Sequence, residues 1–571
     1  MPYVNGIYMD APGASVVIND QNFQGSPAVG GRGLILVGPA TDGQPNTGLS
    51  IAGTTQANAI LKGGDLLQGA LNALSGASKV NGSINLTVID PTPRTQATSS
   101  INNSSGTEQI ALTTTSYGTL ADDAKWMIQA GTTVGYNVNQ GFDFSGPGGQ
   151  TYPPNSASNV SLSVLSLAYT GSDTDPLVTI SDTLFTVSAT SGTTSVTLAS
   201  ITLSSTVTVQ QLVNQLNQVS GLVASVLDPN ASDATGALFD NVSSVALSTT
   251  STAPTTFYAN VTAVVRYFNN LNLYFTAVRQ ANATSLATSS VWTYASGGTT
   301  PTATNADWQN AYTTAQSITG AVVISPVSSS YTIWGYNDAH CHYMASIGQG
   351  RRGYVGDTSG QTEATEQAQA SILNSNRTSI VWPEQAGVDY NGNSTTFAPY
   401  LEACAVAGER TAYTPYNALT EQPVPSNGMG QTLSPGQVSQ GLSNGLCILA
   451  PDQSSVVVVQ EDRTTWMQNT AYDKVQNSTG MVADIIISDL TSAMSKYVGK
   501  AATNLTVGQA TATLFKRLNY WFSQNYIVVQ PQLSDISLAI NGTQLTGSVN
   551  AALAVPTNYI GLQLYPVALA A

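Results

Sequence analysis

Charge is what this chain has least of. Asp, Glu, Lys and Arg together make up 9% of its 571 residues, well below the roughly 25% of an ordinary soluble chain. What charge there is sums to −15. No basic tract exceeds the pairs Arg351-Arg352 and Lys516-Arg517. Binding nucleic acid by phosphate neutralisation is excluded on that ground. Between Lys125 and Arg266 there is no Lys or Arg at all. Histidine is nearly absent as well: two residues, His340 and His342, which removes any multi-histidine metal site elsewhere. Three cysteines, Cys341, Cys404 and Cys447, are far apart and odd in number. They describe neither a disulfide framework nor a zinc site and read as buried thiols. No apolar run approaches 18 residues, so no membrane-spanning helix is expected. The start Met1-Pro2-Tyr3-Val4-Asn5 lacks the basic and apolar pattern of a signal peptide.

Ser, Thr, Asn, Gln and Gly fill the place of charge, and 42% of residues are hydrophobic, enough for several cores. The first 22 residues carry Pro2, Gly6, Pro12 and Gly13 and read as an extended arm. Gly33 to Gly38 is an apolar run bounded by glycines, a buried strand. A helix is expected from about Ile60 to Leu74, and a second strand over Ile84 to Ile89. From 95 to 255 Ser and Thr dominate, short β-like runs recur, and one clear helix follows the candidate N-cap Thr208. From 256 to 435 strands and helices alternate again, among them a helix over Phe397 to Ala407 closed by Gly408. Alternation implies a parallel sheet with helices on its faces.

The expected domains are therefore a 1–22 arm, an α/β domain from 23–94 and 256–435, a mostly β insertion at 95–255, an α+β domain at 436–555, and a terminal arm at 556–571. In the last domain Val456 to Val459 reads as a buried strand. Val482, Ile485, Ile486, Leu490, Ala493, Met494 and Tyr497 form the apolar stripe of a helix ended by Gly499. A second helix follows near 507–522, then strands over 527–530, 536–540 and 544–555. Ile560, Leu562 and Leu564 alternate in a terminal strand ending near Tyr565. Six basic residues face seven acidic ones from 436 onward, so the excess negative charge lies in the first 435 residues.

Several patterns imitate catalytic sites. Gly348-Gln349-Gly350-Arg351-Arg352-Gly353 matches G-x-G-x-x-G, but it follows a helix and leads into a strand, the reverse of a dinucleotide site. His340-Cys341-His342 beside Asp338 suggests metal or thiol chemistry. Neighbours on a helix diverge by about 100°, so they do not share one tetrahedral site, and packing is the reading adopted. Glu363 and Glu366, one turn apart, read as a solvated face near a helix N-terminus. No catalytic residue, metal or cofactor is assigned, and a hydrolase or NAD-type enzyme is not supported.

The order of the pieces resembles the contractile tail sheath family: myovirus-type phage sheaths, with pyocin-type and type VI secretion sheaths more distant. Four segments carry the resemblance: Tyr3-Val4-Asn5-Gly6-Ile7-Tyr8 with Pro12-Gly13, Gly33 to Ala40, Val456 to Trp466, and Ile485 to Lys500 closing on Tyr-Val-Gly-Lys. It is strongest at 1–90 and 440–571. It implies an α/β sheath domain interrupted by an outer insertion, and a tube-facing C-terminal α+β domain completed by donated arm strands. The arm strands would centre on Val4, Ile7, Tyr8, Ile560, Leu562, Leu564 and Tyr565, and the accepting strand on Ile536, Leu538 and Ile540. The physics of exposed strands agrees: unpaired backbone groups seek a sheet edge. The resemblance further implies a helical homopolymer around an inner tail tube, contacts with baseplate and tail terminator proteins, contraction by rigid-body rearrangement that drives the tube through a host envelope, and no nucleic acid or membrane insertion. The location implied is the virion, after assembly in the host cytoplasm. Lys496, Lys500, Lys516 and Arg517 are candidate tube-facing cations. The competing class is another self-assembling virion or cell-surface protein, such as a baseplate, adhesin or S-layer-like component.

Overall fold

The structure is a computed structural model that describes residues 32–229, 231–501, 503–541 and 544–558, with the backbone of Tyr3–Val4 and Ile7–Tyr8. Its centre is an eight-stranded sheet. In chain order the strands are β1 (Gly33–Val37), β2 (Leu49–Ile51), β3 (Asn85–Ile89), β4 (Ala321–Pro326), β5 (Arg352–Val355), β6 (Thr378–Trp382), β7 (Leu446–Pro451) and β8 (Val457–Val459). They lie in the order β8-β7-β6-β5-β4-β1-β3-β2. The six inner strands are parallel and the two short edges antiparallel.

A parallel sheet is covered on both faces, so its strands are apolar without a break, and the period of two decides which side chain meets which layer. Leu34 and Leu36 face one core with α2 (Gly64–Lys79) and α6 (Pro399–Ala412). Ile35 and Val37 face the other, with α3 (Asn305–Gln316) and α4 (Tyr331–Ser346). Helix α5 (Glu363–Leu373) lies over the β6 end. Ahead of α2 stands α1 (Thr54–Leu61). The single helix read over 60–74 is thus two, because Lys62 (φ 53°) and Gly63 (φ 142°) leave the helical region between them.

Gly408 does not end its helix. It sits inside α6, and a Cβ there would lie 2.0 Å from the Ala73 carbonyl oxygen of α2. At Gly76 of α2, a Cβ would meet the Ala405 oxygen at 2.1 Å. The two helices touch backbone to backbone, which only glycine permits. Every residue of α6 from Pro399 to Thr411 except Tyr400 is buried.

The insertion is larger than the composition suggested. It runs over 95–300, and the chain re-enters the main sheet only at Ala321. The boundary drawn at 255 failed because helix Asn260–Leu271 and strand Phe275–Arg279 look like α/β elements, yet they pack on Glu108–Tyr117 in a β layer. Two β units are nested. The inner-lying one uses 96–160 and 260–295, and within it 162–259 forms a second, with its own core around Phe185, Leu212 and Phe257. Thr208 does cap a helix there, Val209–Leu216, through a capping box with Gln211. At the root, Asp90 pairs with Arg94, which donates to the Ala40 carbonyl, and Asp42 pairs with Lys62 while accepting from the Tyr117 amide.

The boundary at 436 also shifts. Strands β7 and β8 belong to the central sheet. A separate C-terminal unit comprises α7 (Asn477–Ser495), α8 (Asn504–Ser523) and a hairpin of β9 (Ile536–Asn541) and β10 (Gln544–Val549). Residues 527–530 form no strand; only Ile527 makes an isolated bridge, to Leu553. Among the described residues no helix is long and apolar enough to cross a membrane.

Candidate functional site

The C-terminal unit is built on a compact core of Val482, Ile486, Leu514, Leu518, Trp521, Ile527 and Ile536. Leu514, Leu518 and Trp521 fall at i, i+4 and i+7 on α8, one face of the helix. Helix α7 carries two carboxylates five residues apart, which places them on different faces. Asp484 points to the central sheet. It accepts from Arg352 Nε at 3.0 Å and from both terminal nitrogens of Arg377 at 3.0 Å. Asp489 points to α8, where Arg517 pairs with it and Trp521 Nε1 donates at 2.8 Å. The Arg352 guanidinium lies so close to Gly480 that a Cβ there would be 2.3 Å from it. Helix α7 thus joins the sheet to the terminal unit through charge-assisted hydrogen bonds on two faces.

Next to this joint, Asp462 is fully buried and fully engaged. Arg410 Nη1 donates to it at 3.0 Å, the Tyr354 hydroxyl at 2.9 Å and Asn477 Nδ2 at 3.0 Å. Arg32, at the edge of the N-terminal segment, donates to the carbonyls of Thr411, Ala412 and Tyr413, closing the C-terminus of α6. The chain therefore enters the sheet from a fixed point. None of this joint was read from the sequence. Its trace was there, in the arginine pair inside the glycine pattern.

The hairpin carries the expected accepting residues. Ile536, Leu538 and Ile540 lie on its inner face, and Ile536 and Leu538 join the core, while Ser537 and Ala539 are exposed. Strand β9 pairs with β10 and, among the described residues, with no other strand. An isolated two-stranded hairpin is marginal, and a third strand is the usual remedy. Apolar side chains stand exposed around the unit: Val498 (83% exposed), Leu505 (71%), Val528, Val529 and Leu533.

Of the candidate cations, Lys496 and Lys500 are exposed and flank the ring of Tyr497 at 5.2 and 5.5 Å. Lys516 is exposed on α8. Arg517 differs: its charge is neutralised by Asp489. At the N-terminus the backbone of Tyr3–Val4 pairs antiparallel with Ile7–Tyr8, Val4 opposite Ile7. Ile560, Leu562, Leu564 and Tyr565 lie outside the described residues.

The catalytic look-alikes dissolve into structure. Arg351 donates to the Ala315 carbonyl at 2.9 Å and to that of Ile318, closing α3, and to His340 Nε2 at 2.8 Å. Burial, with Arg351 beside it, pushes His340 down to about 3, so its ring is neutral. Burial pushes the Cys341 thiol up to about 12, away from nucleophilic use. His342 turns outward to Asp338 at 3.6 Å. Among the described residues no group of three or more His, Cys, Asp or Glu forms a metal cage. Glu366 corrects its reading: it is fully buried, not solvated, because α5 turns only Glu366 and Ala370 inward.

No family model matches the chain. Among curated proteins it is similar to the tail sheath protein of Bacillus phage SP01, 24% identical over 275 residues. The match covers 47% of this chain and 47% of that protein, so the chain spans about half the length of the curated relative. Two solved structures align along nearly the whole chain. The sheath tail protein of Desulfitobacterium hafniense gives a TM-score of 0.54 at 13% identity, covering 95% of this chain and 97% of that one. The sheath tail protein of Listeria innocua gives 0.55 at 12% identity, covering 92% of each. The resemblance to the tail sheath family is borne out, and the multidomain α/β architecture is that of sheath tail proteins.

Proposed function

We propose that this chain is the subunit of a contractile sheath, a structural protein that polymerises helically around an inner tube and shortens by rigid-body rearrangement. The observation that carries the reading is the β9–β10 hairpin. Among the described residues it is a two-stranded sheet with open edges, mounted on a unit held to the central sheet through Asp484. Open edges take up strands from other chains. Strands from the two chain ends, about Val4, Ile7 and Tyr8 and about Ile560, Leu562, Leu564 and Tyr565, are suited to that role in neighbouring copies. A polymer linked by exchanged strands stays connected while its globular bodies switch between two packings. The similarity to sheath tail proteins supports the same reading.

Lys496, Lys500 and Lys516 then form the tube-facing patch, while Arg517 serves the internal joint. The partners are further copies of this chain, an inner tube protein, and baseplate and terminator proteins. The place is a virion tail assembled in a host cytoplasm, and no catalytic activity is assigned. The test is negative-stain microscopy of the full chain and of a variant lacking residues 558–571. The full chain gives tubes or rings, and the truncated chain gives discrete particles with unchanged circular dichroism. Normal polymers from the truncated chain would overturn arm exchange, and discrete particles from the full chain at high concentration would overturn the sheath reading itself.

A further inference from the structure

Three glutamates lie inside the α/β domain with nothing to hold their charge. Glu402 and Glu409 are on α6, and Glu366 is on α5; their exposures are 1%, 0% and 0%. Among the described residues, neither carboxylate oxygen of any of the three has a hydrogen-bond partner. A buried ionised carboxylate with no partner is among the costliest groups a fold can carry, and such a group takes up a proton instead.

Among the described residues, the surroundings of each offer no free cation to balance the charge. Around α6, Arg410 is committed to Asp462, and Arg352 on β5 to Asp484. The Tyr354 hydroxyl donates to Asp462, and Asp65 on α2 accepts from Tyr400. Strands β1, β4 and β6 carry no charged residue. Lys79, at the exposed end of α2, is the remaining cation felt by Glu409, and it makes no bond to that carboxyl. Two anions, Glu402 and Asp462, bear on Glu409 in the opposite sense. Around Glu366 stand Asp357 and the Tyr331 hydroxyl, already donated to Asp357. Strand β6 and helix Pro435–Ser443, which pack on α5, carry no charge. At Gly76 and Gly408 the backbones of α2 and α6 are in direct contact.

We propose that Glu366, Glu402 and Glu409 are carried as neutral acids, and that their ionisation loosens α5 and α6 from the sheet, so the domain is a pH-limited body that holds in acid and weakens toward alkali. Burial pushes Glu402 up to about 8, burial with Asp357 pushes Glu366 up to about 8, and burial raises Glu409 well above the carboxylate range. The folded chain thus holds protons that the unfolded chain gives up near the ordinary carboxyl value. This contribution to stability is whole below that value and declines as pH rises toward 8. Most carboxylates act in the opposite sense, by losing stability in acid.

The experiment compares thermal unfolding of the full chain and of the triple variant E366Q/E402Q/E409Q from pH 5 to pH 9. Glutamine keeps shape and cannot ionise. The wild type loses several degrees of Tm between pH 5 and pH 8; the variant loses clearly less over that window, whatever its offset at pH 5. Parallel slopes in the two proteins would overturn the proposal. Infrared spectroscopy of the wild type gives a second readout that needs no variant. A protonated-carboxyl C=O band at pH 7 that weakens by pH 9 supports the proposal, and its absence at pH 7 overturns it.

Discussion

The α/β domain and its insertion solve the same problem with opposite chemistry. The domain concentrates arginines in its interior: Arg351, Arg352 and Arg410 are 1%, 2% and 0% exposed, each held by several acceptors. The insertion goes 140 residues between its cations and builds two cores from β strands covered by hydroxyl and amide side chains. Its ion pairs are fewer and more open, from Arg279–Asp182, 8% and 15% exposed, to Arg266–Asp233, 36% and 21% exposed. A buried ion pair specifies one geometry and tolerates no loss of a partner. A hydroxyl-covered β layer holds through many small, interchangeable contacts. The difference suits a rigid body that fixes the C-terminal unit and an appendage whose position matters less.

The comparison breaks most visibly at Asp462. Replacing it by Ala leaves Arg410 charged, buried and without its carboxylate, and strips the Tyr354 and Asn477 donors of their acceptor. The expected loss is roughly 3–5 kcal/mol in chemical denaturation. Asp233→Ala in the insertion costs about 1 kcal/mol or less, because its pair is screened by water. Equal losses at the two sites would erase the contrast.

This asymmetry also explains what the sequence disclosed. The central sheet was legible because Gly33 to Val37, Ala321 to Ile324 and Ser379 to Trp382 are apolar runs with helical segments between them. The terminal hairpin was legible from the alternation of Ile536, Leu538 and Ile540. Positions whose role depends on a distant partner were not. Gly408 looked like a stop because a glycine after a helical run usually is one; only the approach of α2 makes it a packing residue. Glu366 looked solvated because a carboxylate in a first helical turn usually is. Asp484 and Arg377 are isolated charges in the chain that meet only in space, and Asp462, set between Glu461 and Arg463, pairs instead with the distant Arg410. The 255 boundary was misread because helix Asn260–Leu271 has a normal amphipathic pattern, and nothing local tells which sheet it covers.

A second break, of intermediate size, comes from Gly408→Ala. In an open helix this change gains about 1 kcal/mol. Here the methyl group must push α2 and α6 apart, at roughly 1–3 kcal/mol net cost or more. Gly192 in the insertion is the counterpart: its φ is +63° and a Cβ would meet nothing within 4 Å. Alanine there suffers only the left-handed backbone, about 1 kcal/mol. Both values come from urea unfolding, and a tolerated Gly408→Ala would mean that the helices are not in backbone contact.

The smallest effect tests whether the insertion unfolds as one piece with the domain. Thr208 accepts from the Gln211 amide at 3.2 Å, and Gln211 Oε1 accepts from the Thr208 amide at 2.9 Å. Thr208→Ala removes one side of this box at about 1 kcal/mol. Helix Val209–Leu216 buries Val209, Leu212, Val213 and Leu216 in the outer core, which shares no buried side chain with the central sheet. The lost stability therefore belongs to the insertion alone. Hydrogen exchange resolved by peptide should show faster exchange across 162–259 and no change in β4, β5 and β6. Faster exchange in the central strands would join the two regions into one cooperative unit, and the opposition drawn between them would then be one of chemistry without a matching division in stability.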